Sequence, residues 1–327
     1  MIGIREIARL AGVSPATVSR VINGGSGVDA EKRKRVEKVI AQTNYVPNET
    51  ARSLYRKSSR IVGLIIPSIR NPYFTEMASV IDEAVKAQGL RLFVCNVGND
   101  LAQQRSSLQM LTAMNVDGVI IASTEPEIQE DLAQCTMPVV VLDSLFETTA
   151  VNAYVHCDYY QGGRMAMEHL LECGCKNIVC VRGPKSVFSA DARYQGYEDV
   201  CMERGIPRQV LECDYDFDAG LAITEELLKT WPDADGILAC NDIVAISIYK
   251  FLHRKNIDVP GQIQLMGFDD VSFSSLMSPG LSTIHQPIAQ LGRRAAELLL
   301  EGKDVAKEGK REILPVSLVR RETTRKN

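Results

Sequence analysis

The chain has 327 residues, 45% of them hydrophobic and 24% charged, with a formal net charge of −4. That length exceeds one ordinary core and points to two or three domains of average soluble composition. It excludes a membrane-spanning protein, because no apolar run approaches the roughly 18 residues a bilayer demands. Arg5, Glu6 and Arg9 interrupt any apolar signal-peptide stretch, so a cytoplasmic location is expected. The net charge conceals an asymmetry. Residues 1–60 hold 12 Lys and Arg against 5 Asp and Glu, a net +7, and the remainder carries −11. A basic segment on an acidic body suits a polyanion partner for that segment alone, although charge by itself equally fits a solvated basic face.

Ile4 to Ala11 reads as a short helix with Ile4, Ile7, Ala8 and Ala11 on one side. Gly12 ends it, as a residue that tolerates positive φ. Ser14 is placed to cap a second helix, and Pro15 suits its first position, where the missing N–H costs nothing. That helix is expected from Pro15 to about Asn23, burying Val18, Val21 and Ile22 and presenting Ala16, Thr17, Ser19, Arg20 and Asn23. Two short helices joined by a glycine turn form a helix-turn-helix, whose second helix enters a major groove. A third helix, capped by Asp29, repeats Val36, Val39 and Ile40 at helical spacing under Lys32, Arg33, Lys34, Arg35 and Lys38. Some of these cations are expected at phosphates, and a merely solvated face is the plainer alternative.

From residue 60 onward, short β-rich runs alternate with amphipathic stretches. The runs are Ile61–Pro67, Arg91–Asn96, Gly118–Ser123, Val139–Asp143, Asn177–Arg182, Gly236–Cys240 and Ile263–Gly267. Between them lie Phe74–Gly89, Gln103–Met114, Gly162–Cys173 and Asp218–Thr230, among others. Alternation of this kind implies parallel sheets with right-handed crossovers, and the strand number implies two doubly wound α/β lobes. Ligands bind beyond the carboxyl ends of such strands. The residues just past those ends include Asn71, Tyr73 and Phe74; Asp143; a loop with Arg193; Tyr215 and Phe217; Asn241 and Asp242; and Gln286. Carboxylates, an arginine and aromatic rings converging on one cleft suit a polyhydroxy ligand. Asp143, Arg193, Asp242 and Gln286 are the expected polar core, while Asp269 and Asp270 are expected to brace a loop. One of Tyr73 and Phe74 is expected to line the cleft.

The nine cysteines are scattered, several within apolar runs (Cys95, Cys180, Cys240), and Cys173 and Cys175 form a CxC pair without a second pair at zinc spacing. Reduced structural thiols are expected, with no metal and no bound cofactor. No GxGxxG follows the first strand, and neither a phosphate-binding GxxxxGK[ST] nor a GxSxG elbow occurs, so an enzyme is not expected. A sugar-binding transporter component would require export and leaves the basic segment without a role.

Two stretches carry a specific resemblance. Ile4 through Gly12-Val13-Ser14-Pro15-Ala16-Thr17-Val18-Ser19-Arg20 to Asn23, and Asn44-Tyr45-Val46-Pro47-Asn48-Glu49-Thr50-Ala51-Arg52-Ser53-Leu54, closely resemble the start of the lactose/galactose-repressor family. The resemblance implies an all-α helix-turn-helix headpiece at 1–46 and a hinge helix at 47–59. A periplasmic-binding-protein-like body at 60–327 would come after them. Within that body it implies one lobe from about 60–159 and 288–314 and another from about 160–287 and 315–327. It further implies base reading by Pro15, Ala16 and Arg20 and phosphate contacts by Thr17 and Ser19, with Ser14, Asn23 and Tyr55 in the same interface. Leu54, beside Ala51, would wedge into the minor groove of double-stranded operator DNA, a strategy that unstacks a base step and bends the duplex; a core role in a linker helix is the alternative. Tyr73, Phe74, Asp143, Arg193, Asp242 and Gln286 match the family's ligand positions, and Val187 argues against a purine. Arg52-Ser53-Leu54-Tyr55, Arg182-Gly183-Pro184, Leu314-Pro315-Val316 and Thr323-Thr324-Arg325-Lys326 resemble the branch that controls ribose operons. The resemblance thus implies a homodimeric repressor released by a small sugar, ribose foremost. The alternative is a catabolite regulator that depends on a phosphocarrier protein.

Overall fold

A computed structural model describes residues 2–45, 58–122, 125–146, 148, 150–302 and 308–325. The chain divides into two compact units, 1–59 and 60–327. The hinge positions Ala51, Leu54 and Tyr55 lie outside the described residues, as does Lys326.

Three helices make the first unit: α1 (Ile4–Ala11), α2 (Pro15–Ile22) and α3 (Ala30–Thr43). Each boundary has a local cause. Gly12, at φ 63°, turns the chain left-handed and donates its N–H to the carbonyls of Ala8 and Arg9. Ser14 accepts the Thr17 N–H at 3.2 Å, and Pro15 occupies the first helical position. Asp29 accepts the Lys32 N–H at 3.2 Å, and Asn44, at φ 47°, closes α3. Asn23 caps α2 and does not continue it. Ile7, Ala8, Ala11, Val18, Val21 and Val36 form the buried centre.

The second unit opens with β1 (Ile61–Ile66), α4 (Pro72–Ala87), β2 (Arg91–Asn96), α5 (Leu101–Ala113) and β3 (Gly118–Ala122). It continues through α6 (Gln129–Ala133), β4 (Val139–Leu142), β5 (Ala153–Cys157), α7 (Tyr159–Glu172), β6 (Ile178–Arg182) and α8 (Phe188–Arg204). Then come β7 (Gln209–Glu212), α9 (Phe217–Thr230), β8 (Gly236–Ala239), α10 (Asp242–Arg254), β9 (Gln264–Asp269) and α11 (Ser272–Leu276). The final elements are β10 (Ser282–His285), α12 (Ile288–Glu301), β11 (Lys310–Leu314) and β12 (Ser317–Val319).

Two six-stranded sheets result, ordered β11-β5-β4-β3-β1-β2 and β12-β10-β9-β8-β6-β7. Every pairing in the first is parallel, and in the second only β12 runs antiparallel among the described residues. The central strands β1, β3, β4, β6 and β8 are buried almost throughout, as strands covered on both faces must be. The apolar pattern does not mark β5, β7, β10, β11 or β12. Polar residues break the run in β5 (His156) and β10 (Ser282, Thr283), and the other three lie at or next to sheet edges with mixed exposure. The chain passes between the sheets three times, at Cys157–Tyr159, His285–Ile288 and Leu314–Ser317. One continuous buried cluster, with Tyr159 in it, joins residues of both sheets. No described helix is long and apolar enough to cross a membrane.

Ile7 is wholly buried in the small first-unit core. Ile7→Ala is expected to destabilise that unit by about 2–5 kcal/mol, the range for large-to-small core changes. Hydrogen exchange of the α1–α3 amides would rise accordingly.

Candidate functional site

On the first unit, α2 offers an outward row. Ser14, Pro15, Ala16, Arg20 and Asn23 are exposed, and Thr17 and Ser19 are half-buried. Some of this polarity is spent locally. The Ser14 and Thr17 hydroxyls lie 2.9 Å apart, and Asn23 Nδ2 donates to Ser19 Oγ at 3.3 Å. Arg20 is exposed, and its side chain has no hydrogen-bond or ion-pair partner among the described residues, which leaves its five N–H groups open to a ligand. Lys32, Lys34, Arg35 and Lys38 of α3 are also exposed, whereas Arg33 donates to the Gly25 carbonyl at 2.8 Å and braces the loop between α2 and α3.

In the second unit, a cavity of about 560 Å³ lies at the carboxyl ends of the strands of both sheets. Asn71, Tyr73 and Phe74 line it from the β1 side, with Asp143 and Ser144 after β4. Val187 caps α8 and reaches it with Ser189 and Arg193 of that helix, Asp214–Asp216 come from the loop after β7, Asn241 from the cap of α10 just past β8, and Asp269 from β9.

Arg193 belongs to a helix, not to the loop expected from the sequence. Two glycines put it there. A Cβ on Gly163 of α7 would lie 2.0 Å from the Arg193 carbonyl oxygen, and one on Gly196 of α8 2.2 Å from that of Tyr160. Only glycine at both positions lets the helix backbones meet so closely. The guanidinium then sits 3.9 Å from the Phe268 ring centroid and 5.0 Å from that of Tyr159. It donates to the Cys240 carbonyl and lies 3.4 Å from the Asp269 carboxylate. A buried cation over a ring face gains about 2 kcal/mol. Arg193 is 5% exposed, yet among the described residues its Nε has no partner, and neither do Asn241 Nδ2 and the Tyr215 hydroxyl. Three unpaired polar groups on one cavity wall are costly unless something supplies their hydrogen bonds.

Opposed to these donors are acceptors. Asp143 and Asp269 stand at φ 55° and 126°, conformations that L residues with side chains rarely adopt and that cost on the order of 1–3 kcal/mol each. Burial pushes both carboxyls above the ordinary carboxylate range; hydrogen bonds from Tyr159 and Tyr73 pull Asp143 partly back, and the Arg193 charge does the same for Asp269. Asn71 and Asn241 have double duties. Their Oδ1 atoms cap α4 and α10 by accepting the N–H groups of Tyr73 (3.1 Å) and Val244 (2.8 Å).

Six of the nine expected ligand residues therefore meet at this cavity: Asn71, Tyr73, Phe74, Asp143, Arg193 and Asn241. Three do not line it. Asp242 is fully buried behind it and accepts the Val271 N–H (3.0 Å) and the hydroxyls of Ser274 and Thr283 (2.6 Å each), which leaves it a brace for the loop after β9. Gln286 stands one layer back, donating to Asp269 at 2.6 Å and accepting from the Tyr73 hydroxyl at 3.4 Å. Phe217 is half-buried at the start of α9, under the Lys250 ammonium at 5.5 Å. The expected bracing pair splits. Asp270 holds Arg321 (2.6 Å) and His285 (2.9 Å), while Asp269 lines the cavity. Ser68, Asn96 and Asn99 also line it, unmarked by the sequence pattern although each follows or ends a strand. No group of three His, Cys, Asp or Glu side chains that could hold a metal ion occurs among the described residues. Acceptors, forked donors and ring edges in one partly enclosed space are equipped to hold a neutral polyol.

Residues 3–48 match the family model described as bacterial regulatory proteins, lacI family, and residues 59–321 that of periplasmic binding proteins and sugar binding domain of LacI family. The chain is 37% identical to the ribose operon repressor of Halalkalibacterium halodurans, over 99% of its own length and 98% of that protein's. It is similar to the lac repressor dimer bound to operator and an anti-inducer (TM-score 0.84, 28% identity, 99% of each chain). It is also similar to a LacI family regulator from Enterococcus faecium with bound ribose (TM-score 0.73, 29% identity, 81% of this chain and 98% of that one).

The raised carboxyl pKa values fix the sign of a pH effect. An ionised Asp143 or Asp269 would accept hydroxyls of a polyol in the cavity, and protonation would remove an acceptor. Affinity for an uncharged polyol should thus fall as pH is lowered, starting above the ordinary carboxylate value of about 4. Calorimetry at stepped pH, from neutral down through the ordinary carboxylate value of about 4, would register this decline, and a flat profile would contradict it.

Proposed function

The chain belongs to the LacI family of bacterial regulatory proteins and is a DNA-binding repressor of a sugar operon; we propose that ribose is the sugar, that it binds in the cavity between the two sheets, and that its binding releases the operator. The observation that carries this reading is the cavity wall itself. Asp143 and Asp269 offer acceptors, Arg193 and Asn241 unpaired donors, and Tyr73 and Phe74 rings, all on a scale suited to a small hydroxylated ring. The Enterococcus faecium regulator holds ribose, and the Halalkalibacterium relative is a ribose operon repressor.

Two chains pair so that two α2 helices read the halves of a palindrome. Exposed apolar side chains suit such a contact: Phe93, Val94 and Met110 on the first lobe, and Phe273 and Leu276 on the second, Leu276 being 75% exposed. Pro15, Ala16 and Arg20 read bases, Thr17 and Ser19 hold phosphates, and Leu54, with Ala51 beside it, wedges into the minor groove. Ribose favours a lobe arrangement that parts the hinges, and its preference for that arrangement is what drives release. The protein works in the cytoplasm, at the chromosome. The comparisons do not favour the alternative that needs a phosphocarrier protein.

Operator titrations by fluorescence anisotropy at fixed salt test this directly, and undiminished operator affinity at saturating ribose would end the ribose reading. Arg193→Ala should abolish ribose-induced release, because the cavity loses its cation and the Nε donor; thermal unfolding measured alongside separates that loss from the destabilisation expected when Asp269 stays buried without its partner. Arg20→Ala should weaken operator binding by about 1–3 kcal/mol and relax preference at one base pair. Leu54→Ala should weaken operator binding and reduce DNA bending, as read by the mobility of permuted operator fragments.

A further inference from the structure

Glu76 lies on α4, in the lobe of the first sheet, and Ser272 opens α11, in the lobe of the second. They stand 196 residues apart, yet one Glu76 oxygen accepts both the Ser272 N–H at 2.9 Å and its hydroxyl at 2.6 Å. This paired contact joins the lobes through side chain and backbone, in addition to the three chain crossings. Its two ends also adjoin the cavity. Tyr73 lies one helical turn before Glu76, and Asp269 lies three residues before Ser272. The loop between them is stiff, since Asp242 fixes the Val271 N–H and the Ser274 hydroxyl on either side of Ser272. A shift of one lobe against the other therefore moves Ser272, as a fixed point of its lobe, relative to Glu76.

We propose that the Glu76–Ser272 contact is a latch between the lobes that holds the operator-binding arrangement and is released when a sugar closes the cavity. The proposal rests on the assignment of a sugar to the cavity. A pentose fills only a fraction of about 560 Å³, so gripping it from both sides requires the lobes to move. Glu76 and Ser272 are positioning residues here, because neither lines the cavity or belongs to the reading helix. A carboxylate accepting a backbone N–H and a hydroxyl is strong enough to matter in an equilibrium that effectors shift by factors of roughly 5–150.

The test is a double-mutant cycle in the full-length protein with Glu76→Ala, Ser272→Ala and the pair. Operator affinity is measured without sugar, and ribose affinity by calorimetry. Each single variant should weaken operator binding about three- to tenfold and tighten ribose binding by a similar factor, and the pair should do no more than either alone. Glu76→Gln, which keeps an accepting oxygen, should restore most of the operator affinity. Thermal unfolding of each variant checks that folding is intact. Additive effects, no effect, or both affinities moving in the same direction would overturn the latch. The operator arm decides for or against the latch even if the wild-type protein proves blind to ribose, an outcome that would instead sink the sugar assignment.

Discussion

The buried charge of Arg193 is the constraint around which the cavity is built. A guanidinium cannot shed its proton to escape burial, so the fold must surround it with acceptors and ring faces. It does so with the Cys240 carbonyl, the Asp269 carboxylate, Phe268 and Tyr159. These partners come from the ends of β8 and β9 and from the first crossing between the sheets. One cation thus orders the carboxyl ends of the second sheet, and Tyr159, donating to Asp143, carries that order into the first. The helix contact through Gly163 and Gly196 is what permits the cation to be there.

Satisfaction stops short of completion at the same place. Arg193 Nε, Asn241 Nδ2 and the Tyr215 hydroxyl lack partners, and Asp143 and Asp269 keep carboxyls that burial has made harder to ionise. Unpaired polar groups gathered on one cavity wall fit a binding site. Their balance also sets the charge of a suitable ligand. Four carboxylates line the cavity (Asp143, Asp214, Asp216 and Asp269) against the cation of Arg193, the single one among the described lining residues. An anionic ligand would meet net repulsion, whereas hydroxyls donate to carboxylates and accept from Nε and Nδ2 with no charge to bury.

How much of this was legible depended on the range of the forces involved. The helix-turn-helix could be read nearly residue by residue, because Gly12, Ser14, Pro15 and Asp29 act on backbone groups within four positions of themselves. Central strands were equally plain, since burial on both faces writes a continuous apolar run. The site was harder. A strand end announces that polar residues will gather, but not which of two neighbours turns inward. Asn241 and Asp242 illustrate this: the partners that draw Asp242 away from the cavity are 29 to 41 residues off. The same blindness hid Asp269 and misplaced Phe217 beside the true lining of Asp214–Asp216. Arg193 was expected in the cleft from its place past a strand end, but on a loop; the close packing that seats it on a helix is invisible in local pattern.

The three crossings explain how a small ligand can move lobes without unfolding them. Each connection is one to two residues long and is tied down: Asp158 donates its N–H to the Leu314 carbonyl at 3.0 Å, and Gln286 donates its own to the Asp269 carbonyl at 3.2 Å. Connections this short and this tied suit a small rotation of the lobes about the crossings better than a slide. Two of those crossings touch the cavity's polar groups, through Tyr159 on Asp143 and through Gln286 on Asp269 and Tyr73. A ligand that redirects either carboxylate thus acts at the pivot itself. No long chain of intermediaries is needed between occupancy and rotation, because the residues that would hold the sugar are the ones that hold the hinge.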